Sequence, residues 1–132
     1  MADLVVVDTD LLIDFLRGRG PGAALVRELV GSHRLRLTAI SAFELRLGAD
    51  FGERGAEVQR LFRRRTLPVD LAAALRAGEV AARLRSAGTE IGPADSLQAG
   101  VCLRHDLVLA TRNRRHFERV EGLRLLDLPA GA

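Results

Sequence analysis

The chain alternates short apolar runs with longer segments in which apolar residues recur at helical spacing. The short runs are typical of buried strands and cover residues 5–8, 35–38, 66–69, 107–110 and 123–126. The helical segments cover residues 11–16, 21–30, 56–65, 71–85 and 92–104. A further helix is predicted to begin at Ser41, and residues 113–117 are predicted to form a short turn or helix. Strands that alternate with helices predict a mostly parallel central sheet with helices on both faces. We therefore expect an α/β fold built as a three-layer sandwich.

Length and composition favour one compact domain spanning residues 1–132. A domain of this size can bury a core without covalent crosslinks. Apolar residues make up 48% of the chain, and no segment has the composition of a disordered region. The one cysteine, Cys102, excludes an internal disulfide and fits a reducing compartment. The N-terminal apolar run stops at Asp8, so no signal peptide is predicted, and no apolar stretch is long enough to span a bilayer. We expect a soluble, cytoplasmic protein that does not associate with a membrane.

All 20 basic residues are arginine, and lysine is absent. Enzyme classes whose chemistry needs a lysine side chain are therefore excluded. The formal net charge of +3 is too small to indicate a nucleic-acid partner by itself, so the positions of the arginines matter more. Residues 63–65 are interpreted as solvated surface, whereas Arg112, Arg114 and Arg115 stand beside a group of candidate site residues. We predict that these three arginines contact phosphate groups of a nucleic acid.

Polar residues follow the predicted strands at the points where the strands end. Asp8 ends the first strand, Glu44 lies on the helix after the second, and residues 111–113 follow the fourth, while Asp95 lies in the first turn of its helix. Ligands of open parallel α/β folds bind outside the carboxyl ends of the strands, so these residues are the site candidates. Each acid also has a structural explanation: Asp8 as a helix cap, Asp95 beside a helix dipole, and Glu44 in a capping box with Ser41.

Two details favour a functional explanation of the acids. Glu44 shares a helix face with Ile40, Leu47 and Gly48, so we expect it to point inward, where an unpaired carboxylate is costly. The acids also belong to one end of the predicted sheet, where two carboxylates about 5 Å apart repel by roughly 3 kcal/mol at an effective dielectric constant near 20. A divalent cation is the simplest occupant of such a cluster, and oxygen ligands favour Mg²⁺ or Mn²⁺ over zinc.

Four segments, in order along the chain, resemble the motifs of PIN-domain ribonucleases. Residues 5–14 resemble the opening motif, a strand that ends in an aspartate followed by a small hydroxyl residue, here Asp8 and Thr9. Residues 41–48 resemble the central glutamate motif, residues 91–97 the third-acid motif, and residues 109–117 the last motif. The tail at residues 120–128 also matches, so the resemblance covers nearly the whole chain. Within this family the chain is most similar to VapC-type toxins of VapBC toxin–antitoxin systems.

The resemblance implies a PIN-like fold and a ribonuclease that hydrolyses RNA phosphodiester bonds with Mg²⁺ or Mn²⁺. It also implies a homodimer and a cognate VapB-like antitoxin that inhibits the enzyme. The residues that match the family motifs would form the site, with Asp8, Glu44 and Asp95 as metal-binding and catalytic acids, Asn113 as a further catalytic residue, and Thr9 and Thr111 as supporting hydroxyls. Asn113 stands where family members often carry a fourth acid, and Gln98 occupies a commonly aliphatic helix position.

Other functions are disfavoured by the sequence, and one alternative stays open. Residues 8–10 superficially match the opening of haloacid-dehalogenase-type phosphohydrolases, but that chemistry, like that of response-regulator receivers, needs a lysine. No glycine-rich phosphate loop follows a predicted strand, which disfavours a dinucleotide-binding module. The open alternative is a catalytically degraded PIN-fold interaction protein, with Asn113 as the sign of a lost acid. The histidines, His33, His105 and His116, are interpreted as ordinary surface or loop residues rather than zinc ligands.

Overall fold

The computed structural model describes residues 3–48 and 50–132. Within these ranges the sheet has four strands, β1 (Val5–Val7), β2 (Leu35–Thr38), β3 (Thr66–Leu67) and β4 (Val108–Ala110). The strands run parallel in the order β3-β2-β1-β4. The first strand of the chain is therefore central, with Val5 beside Leu35 on one side and Val108 on the other.

Helices connect the strands, as the alternating pattern predicts. In chain order they are α1 (Thr9–Arg17), α2 (Pro21–Gly31), α3 (Ala39–Leu47), α4 (Asp50–Phe62), α5 (Leu71–Ser86), α6 (Pro93–His105) and α7 (Arg114–Phe117). None of the helices within the described ranges is long and apolar enough to cross a membrane. Asp8 caps α1 directly after β1, so the end of the central strand and the start of the first helix share one acidic residue.

The sheet separates two apolar cores. Side chains of β1 alternate between them, as the pleat of a strand requires. Val5 and Val7 face the core that is formed with α1, α2, α3 and α4, whereas Val6 faces the core that is formed with α5, α6 and α7. Helices on both sides of a parallel sheet confirm the predicted α/β three-layer sandwich.

α5 and α6 pack closely against each other because Gly100 of α6 faces α5. A Cβ placed at Gly100 would lie 2.6 Å from the carbonyl oxygen of Ala73 and 2.6 Å from the Cβ of Ala77. Ala73 and Ala77 are buried, so small residues form the contact surface of both helices. This packing helps to hold α6, and with it Asp95, in place beside the sheet.

The predicted final strand at residues 123–126 is wrong. Leu125 forms an isolated parallel bridge with Leu109, supported by a hydrogen bond of 2.8 Å from the amide of Leu126 to the carbonyl oxygen of Leu109. β4 is only three residues long, so it offers the tail a short edge for pairing. The helix predicted at residues 56–65 overlaps the part of α4 that follows a kink at Arg54, and it ends earlier than predicted, at Phe62. The chain turns after it, with Arg64 at a φ of 60°.

The predicted start of the third helix at Ser41 is also wrong. α3 begins at Ala39, because Thr38 caps it: the backbone amide of Ser41 donates to Oγ1 of Thr38 over 3.2 Å. Ser41 and Glu44 therefore do not form the predicted capping box. Instead, both side chains make contacts with residues around the end of β1.

Candidate active site

The ends of β1 and β4 lie side by side and bring distant residues into one cleft. The backbone amide of Asp8 donates to the carbonyl oxygen of Ala110 over 2.9 Å, which places the residues that follow the two strands next to each other. The open cleft at this edge has a volume of about 400 Å³. It is lined by Asp8, Thr9, Asp10, Glu44, Asp95, Arg112 and Asn113. The three predicted acids therefore share one cleft, although they come from different elements.

Asp8 is buried in this cleft and accepts hydrogen bonds on both carboxyl oxygens. Its Oδ1 accepts from the backbone amide of Thr9 over 2.9 Å and from Nε2 of Gln98 over 3.2 Å. Its Oδ2 accepts from Oγ1 of Thr111 over 2.7 Å. Burial raises the pKa of Asp8 from 3.8 to about 6, although the bonds from Thr111 and Thr9 lower it. A positive charge in the cleft would favour the ionised form of Asp8.

Glu44 reaches the cleft from its exposed rim. The prediction that it points inward together with Leu47 is wrong, because Glu44 is exposed and Leu47 is 75% exposed. α3 instead buries Ser41 and Leu45, one helical turn apart, and turns the neighbouring face outward. Oε1 of Glu44 accepts a hydrogen bond from Oγ1 of Thr9 over 2.6 Å, which ties the exposed carboxylate to the start of α1.

Asp95 lies in the first turn of α6 and contacts two residues that follow β4. Nδ2 of Asn113 donates to Oδ2 of Asp95 over 3.2 Å, and Nδ1 of His116 lies 2.9 Å from the same oxygen. We assign the hydrogen of this contact to Nδ1, because a carboxylate oxygen only accepts. Nδ2 of Asn113 also lies 2.9 Å from Nδ1, and with this assignment it donates to Asp95 and not to the ring. The interpretation of His116 as an ordinary surface or loop residue is wrong, because it is half-buried between Asn113 and a candidate site acid.

Further residues at or beside the cleft, among them Asp10, Gln98 and Asp14, are missing from the predicted site. Asp10 lines the cleft, and the acids at both positions 8 and 10 were a signal for it. Gln98 is 2% exposed and contacts Asp8, and its polar side chain in an otherwise apolar stretch of α6 was a signal. Asp14 forms an ion pair with Arg112. No local pattern indicates that pair, because its partners are far apart in sequence.

The predicted arginine cluster after β4 is divided by the structure. Arg112 lines the cleft and pairs with Asp14. Arg114 points along the C-terminal tail, where its Nη1 donates to the carbonyl oxygen of Leu126 over 3.0 Å. Arg115 is exposed and is not among the residues that line the cleft. Of the three arginines, Arg112 is thus the one that lies beside the acids.

The cleft offers oxygen ligands, the donor set that Mg²⁺ and Mn²⁺ prefer. Asp10 and Asp95 lie close enough to Asp8 for their charges to raise its pKa, in addition to the larger effect of burial. Over the part of the chain that the structure describes, however, no three Asp, Glu, His or Cys side chains form a ready-made metal cage. Negative charge gathered beside a buried carboxyl group fits a divalent cation, and the metal site stays a prediction.

Known proteins are similar to this chain in both sequence and fold. The family model of the PIN domain matches residues 5–123. The chain is 32% identical over 127 residues to the tRNA(fMet)-specific endonuclease VapC of Salmonella typhimurium, with 92% of this chain and 96% of that protein covered. It is 36% identical over 126 residues to Ribonuclease VapC10 of Mycobacterium tuberculosis, with 92% and 91% covered. A crystal structure of DNA-bound VapBC from Salmonella typhimurium matches with a TM-score of 0.77 at 25% identity, covering 96% of this chain and 98% of that chain.

The fold is a parallel sheet, and an acid-lined cleft lies at the carboxyl ends of its strands. The PIN-domain model matches most of the same chain. The chain belongs to the PIN-domain family and, within that family, to the VapC proteins. The resemblance that the four sequence motifs indicate is therefore confirmed.

Proposed function

We propose that the chain is a metal-dependent endoribonuclease, which hydrolyses RNA phosphodiester bonds and acts as the toxin of a toxin–antitoxin pair. The observation that carries this proposal is the shared cleft of Asp8, Glu44 and Asp95, which are distant in sequence and come from the end of β1, from α3 and from α6. Its VapC relatives in Salmonella typhimurium and Mycobacterium tuberculosis are named as an endonuclease and a ribonuclease, which supports the same activity.

The residues proposed to hold Mg²⁺ or Mn²⁺ are Asp8, Glu44 and Asp95. Thr111 orients Asp8 and Thr9 orients Glu44 through the hydrogen bonds described above. Asn113 orients Asp95, so an amide at this position has a use even though it adds no charge. When bound, the ion neutralises charge on the scissile phosphate and lowers the pKa of a bound water molecule.

Arg112 is proposed to bind an RNA phosphate beside the acids. Its guanidinium lines the cleft, and the ion pair with Asp14 holds it there. A guanidinium can donate two parallel hydrogen bonds to one phosphate group, which a cleft lined by acids alone could not offer. Initiator tRNA is the first substrate to test, because the Salmonella typhimurium relative is named for tRNA(fMet).

A VapB-like antitoxin and a second copy of this chain are the proposed partners. The similar solved structure from Salmonella typhimurium contains VapBC rather than VapC alone, which supports an antitoxin. For the homodimer, the support is a set of large apolar side chains that are between 61% and 75% exposed, namely Phe43 and Leu47 on α3 and Leu71 and Leu75 on α5. Each pair is spaced one helical turn apart, and exposed apolar patches of this kind are typical of interfaces.

Incubation of the purified chain with total RNA and with initiator tRNA tests the proposed activity. We expect fragments with defined ends in Mg²⁺ or Mn²⁺ and intact RNA in EDTA. Asp8→Asn and Asp95→Asn should abolish cleavage while the circular dichroism spectrum keeps its shape. The same substitution at Asp3, which is exposed and outside the cleft, should leave the cleavage rate unchanged.

The opposite outcome is equally clear. If the wild-type chain is folded and leaves every RNA intact with either metal, the ribonuclease proposal is wrong. A chain that still binds its antitoxin in that case fits the degraded interaction protein better. If Asp95→Asn cuts RNA at the parent rate, the role of that residue is wrong and the activity stands.

A further inference from the structure

Gln98 has a buried polar side chain that the roles of the metal-binding acids do not explain. It lies on α6, one helical turn after Asp95, and is 2% exposed. A buried amide is destabilising unless its donors and acceptor are hydrogen-bonded, whereas an aliphatic side chain at the same position would have no such requirement. The partners of this amide therefore indicate why the position is polar.

We propose that Gln98 is a positioning residue, which links Asp8 to Glu44 through an ordered chain of hydrogen bonds and so sets the orientation of the two acids relative to each other. The inference deepens the proposed function and rests on it, because it concerns two of the acids that would hold the cation. Gln98 itself is proposed to contact neither substrate nor metal.

Thr38 determines which way the Gln98 amide points. Oγ1 of Thr38 accepts from the backbone amide of Ser41 over 3.2 Å and donates its own hydrogen to Oε1 of Gln98. With Oε1 held by Thr38, Nε2 faces the opposite side, where Oδ1 of Asp8 lies 3.2 Å away and Oγ of Ser41 3.3 Å away. The two hydrogens of Nε2 thus serve an acid and a hydroxyl at the same time.

The series of hydrogen bonds continues from Ser41 through Thr9 to Glu44, and the direction of each bond can be assigned. Oγ1 of Thr9 lies 2.6 Å from Oε1 of Glu44 and 3.0 Å from Oγ of Ser41. Since a carboxylate only accepts, the single hydroxyl hydrogen of Thr9 belongs to Glu44. The hydrogen between Thr9 and Ser41 must then come from Ser41, which in turn accepts from Gln98. Every donor in the chain is used once, and every link has an acceptor.

Removal of the Gln98 amide would interrupt this series of hydrogen bonds at its first member. Asp8 would lose one donor, Ser41 would lose the bond that orients its hydroxyl, and Thr38 would lose its acceptor. Groups that orient metal-binding carboxylates typically change metal affinity by about 10-fold to 100-fold when they are replaced. We therefore expect a loss of that size, and not the complete loss expected for Asp8 or Asp95.

The chain of hydrogen bonds can be tested without metal or RNA. The sequence contains two glutamines, Gln59 and Gln98, and one asparagine, so the side-chain amides give three pairs of signals in a ¹⁵N–¹H correlation spectrum. The Gln98 pair should exchange with solvent at least about tenfold more slowly than that of exposed Gln59. It should also shift in Ser41→Ala, while the Gln59 pair stays in place. Equal exchange rates, or no response to Ser41→Ala, would overturn the inference.

The positioning role is tested by calorimetric measurement of Mn²⁺ affinity. We expect Gln98→Met to bind Mn²⁺ about 10-fold to 100-fold more weakly than wild type, and the matched surface variant Gln59→Met to bind it equally well. The double variant with Ser41→Ala should bind little more weakly than Gln98→Met alone, because both substitutions interrupt the same chain. If Gln98→Met is folded and binds Mn²⁺ like wild type, Gln98 has a structural role only and the inference is wrong.

A Gln98→Met variant that does not fold and a wild-type chain without activity each need a separate interpretation. If Gln98→Met does not fold, the nearly isosteric Gln98→Glu places an acceptor where Asp8 needs a donor, and the same loss of Mn²⁺ affinity is expected. If the wild-type chain binds no Mn²⁺ and cuts no RNA while the amide signals behave as expected, the proposed function fails and the hydrogen-bonded link between Asp8 and Glu44 stands.

Discussion

His116 and Asp95 are in direct contact: Nδ1 of the histidine on α7 lies 2.9 Å from Oδ2 of the aspartate on α6. Nδ2 of Asn113 approaches the same oxygen over 3.2 Å. Both donors thus act on one oxygen of the carboxylate and leave Oδ1 to face other partners. An amide and an imidazole thus contact the third candidate acid at a place where PIN-domain proteins often carry a fourth acid.

Replacement of His116 therefore tests how Asp95 is held. His116→Leu should lower the rate of RNA cleavage by about 10-fold or more, because Asp95 loses a donor that orients it. His116→Asn, whose amide can donate from nearly the position of Nδ1, should retain most of the rate. His33→Asn removes an exposed imidazole outside the cleft and serves as the control. A wild-type rate for His116→Leu, measured over a range of Mn²⁺ concentrations, would show that the contact is dispensable.

The raised pKa of Asp8 predicts how the stability of the metal-free protein depends on pH. In the folded state the pKa is about 6, and in the unfolded state it returns to about 3.8, so between these values the folded state binds more protons. The contribution of Asp8 to the free energy of unfolding is therefore fully present below pH 4 and is lost as the pH rises through 6. The loss amounts to about 3 kcal/mol, which corresponds to the difference between a pKa of 3.8 and one of about 6.

Urea denaturation in EDTA at several pH values measures this effect. Asp8→Asn cannot ionise, so its stability relative to wild type should increase from pH 4 to pH 7. Asp3→Asn changes an exposed carboxyl group and should follow the wild-type curve. Parallel curves for Asp8→Asn and wild type would mean that burial does not perturb the carboxyl group as described.

Substitution by alanine at two glycines, Gly78 of α5 and Gly100 of α6, should change the free energy of unfolding in opposite directions. In Gly100→Ala the new Cβ would meet the carbonyl oxygen of Ala73 and the Cβ of Ala77, each at 2.6 Å, so the helices must separate. We expect a loss of about 1–3 kcal/mol in the free energy of unfolding. Gly78 is exposed and has nothing within 4 Å of the new atom, so Gly78→Ala should add about 0.5–1 kcal/mol. Urea denaturation that gives both variants the same sign would contradict this packing.

If Arg112 contacts an RNA phosphate as proposed, its contribution to RNA binding should depend on the salt concentration. On the background of the inactive Asp95→Asn variant, Arg112→Ala should weaken RNA binding and reduce the slope of log affinity against log salt by about 1. Arg112→Lys should keep much of the slope but not the paired hydrogen bonds. Arg63→Ala, at an exposed position outside the cleft, is the control. Equal salt slopes for Arg112→Ala and Arg63→Ala would remove Arg112 from the proposed RNA contact.

The sequence predicts the shared cleft because Asp8 and Thr111 directly follow parallel strands and Asp95 lies in the first turn of a helix. Asp8 and Thr111 need no long-range information beyond the order of strands, since the ends of neighbouring parallel strands lie together. The prediction that Glu44 points inward was wrong because α3 carries apolar residues on several faces. The apolar periodicity of α3 therefore does not identify which face is buried. Leu47, which the pattern assigns to the interior, is exposed.

Gln98 and His116 could not be assigned from the sequence for a different reason. Each makes contacts that depend on how α6 and α7 are placed against the sheet, and the partners Gln98 and Asp8 are 90 residues apart. A polar residue in an apolar helix stretch indicates that a buried partner exists, but it does not identify that partner. Local patterns therefore indicate the acids themselves, whereas the residues that orient them follow from tertiary packing.

The position of β1 in the sheet has a consequence for protein synthesis. β1 (Val5–Val7) is translated about 100 residues before β4 (Val108–Ala110), the strand that completes its free side. Asp8 can contact Ala110 and Thr111 only after translation has passed these residues. A growing chain, or one cut short before these residues, has the first acid but no finished cleft around it. On the proposed function, a nascent chain therefore cannot cleave RNA until β4 and the residues that follow it have been synthesised.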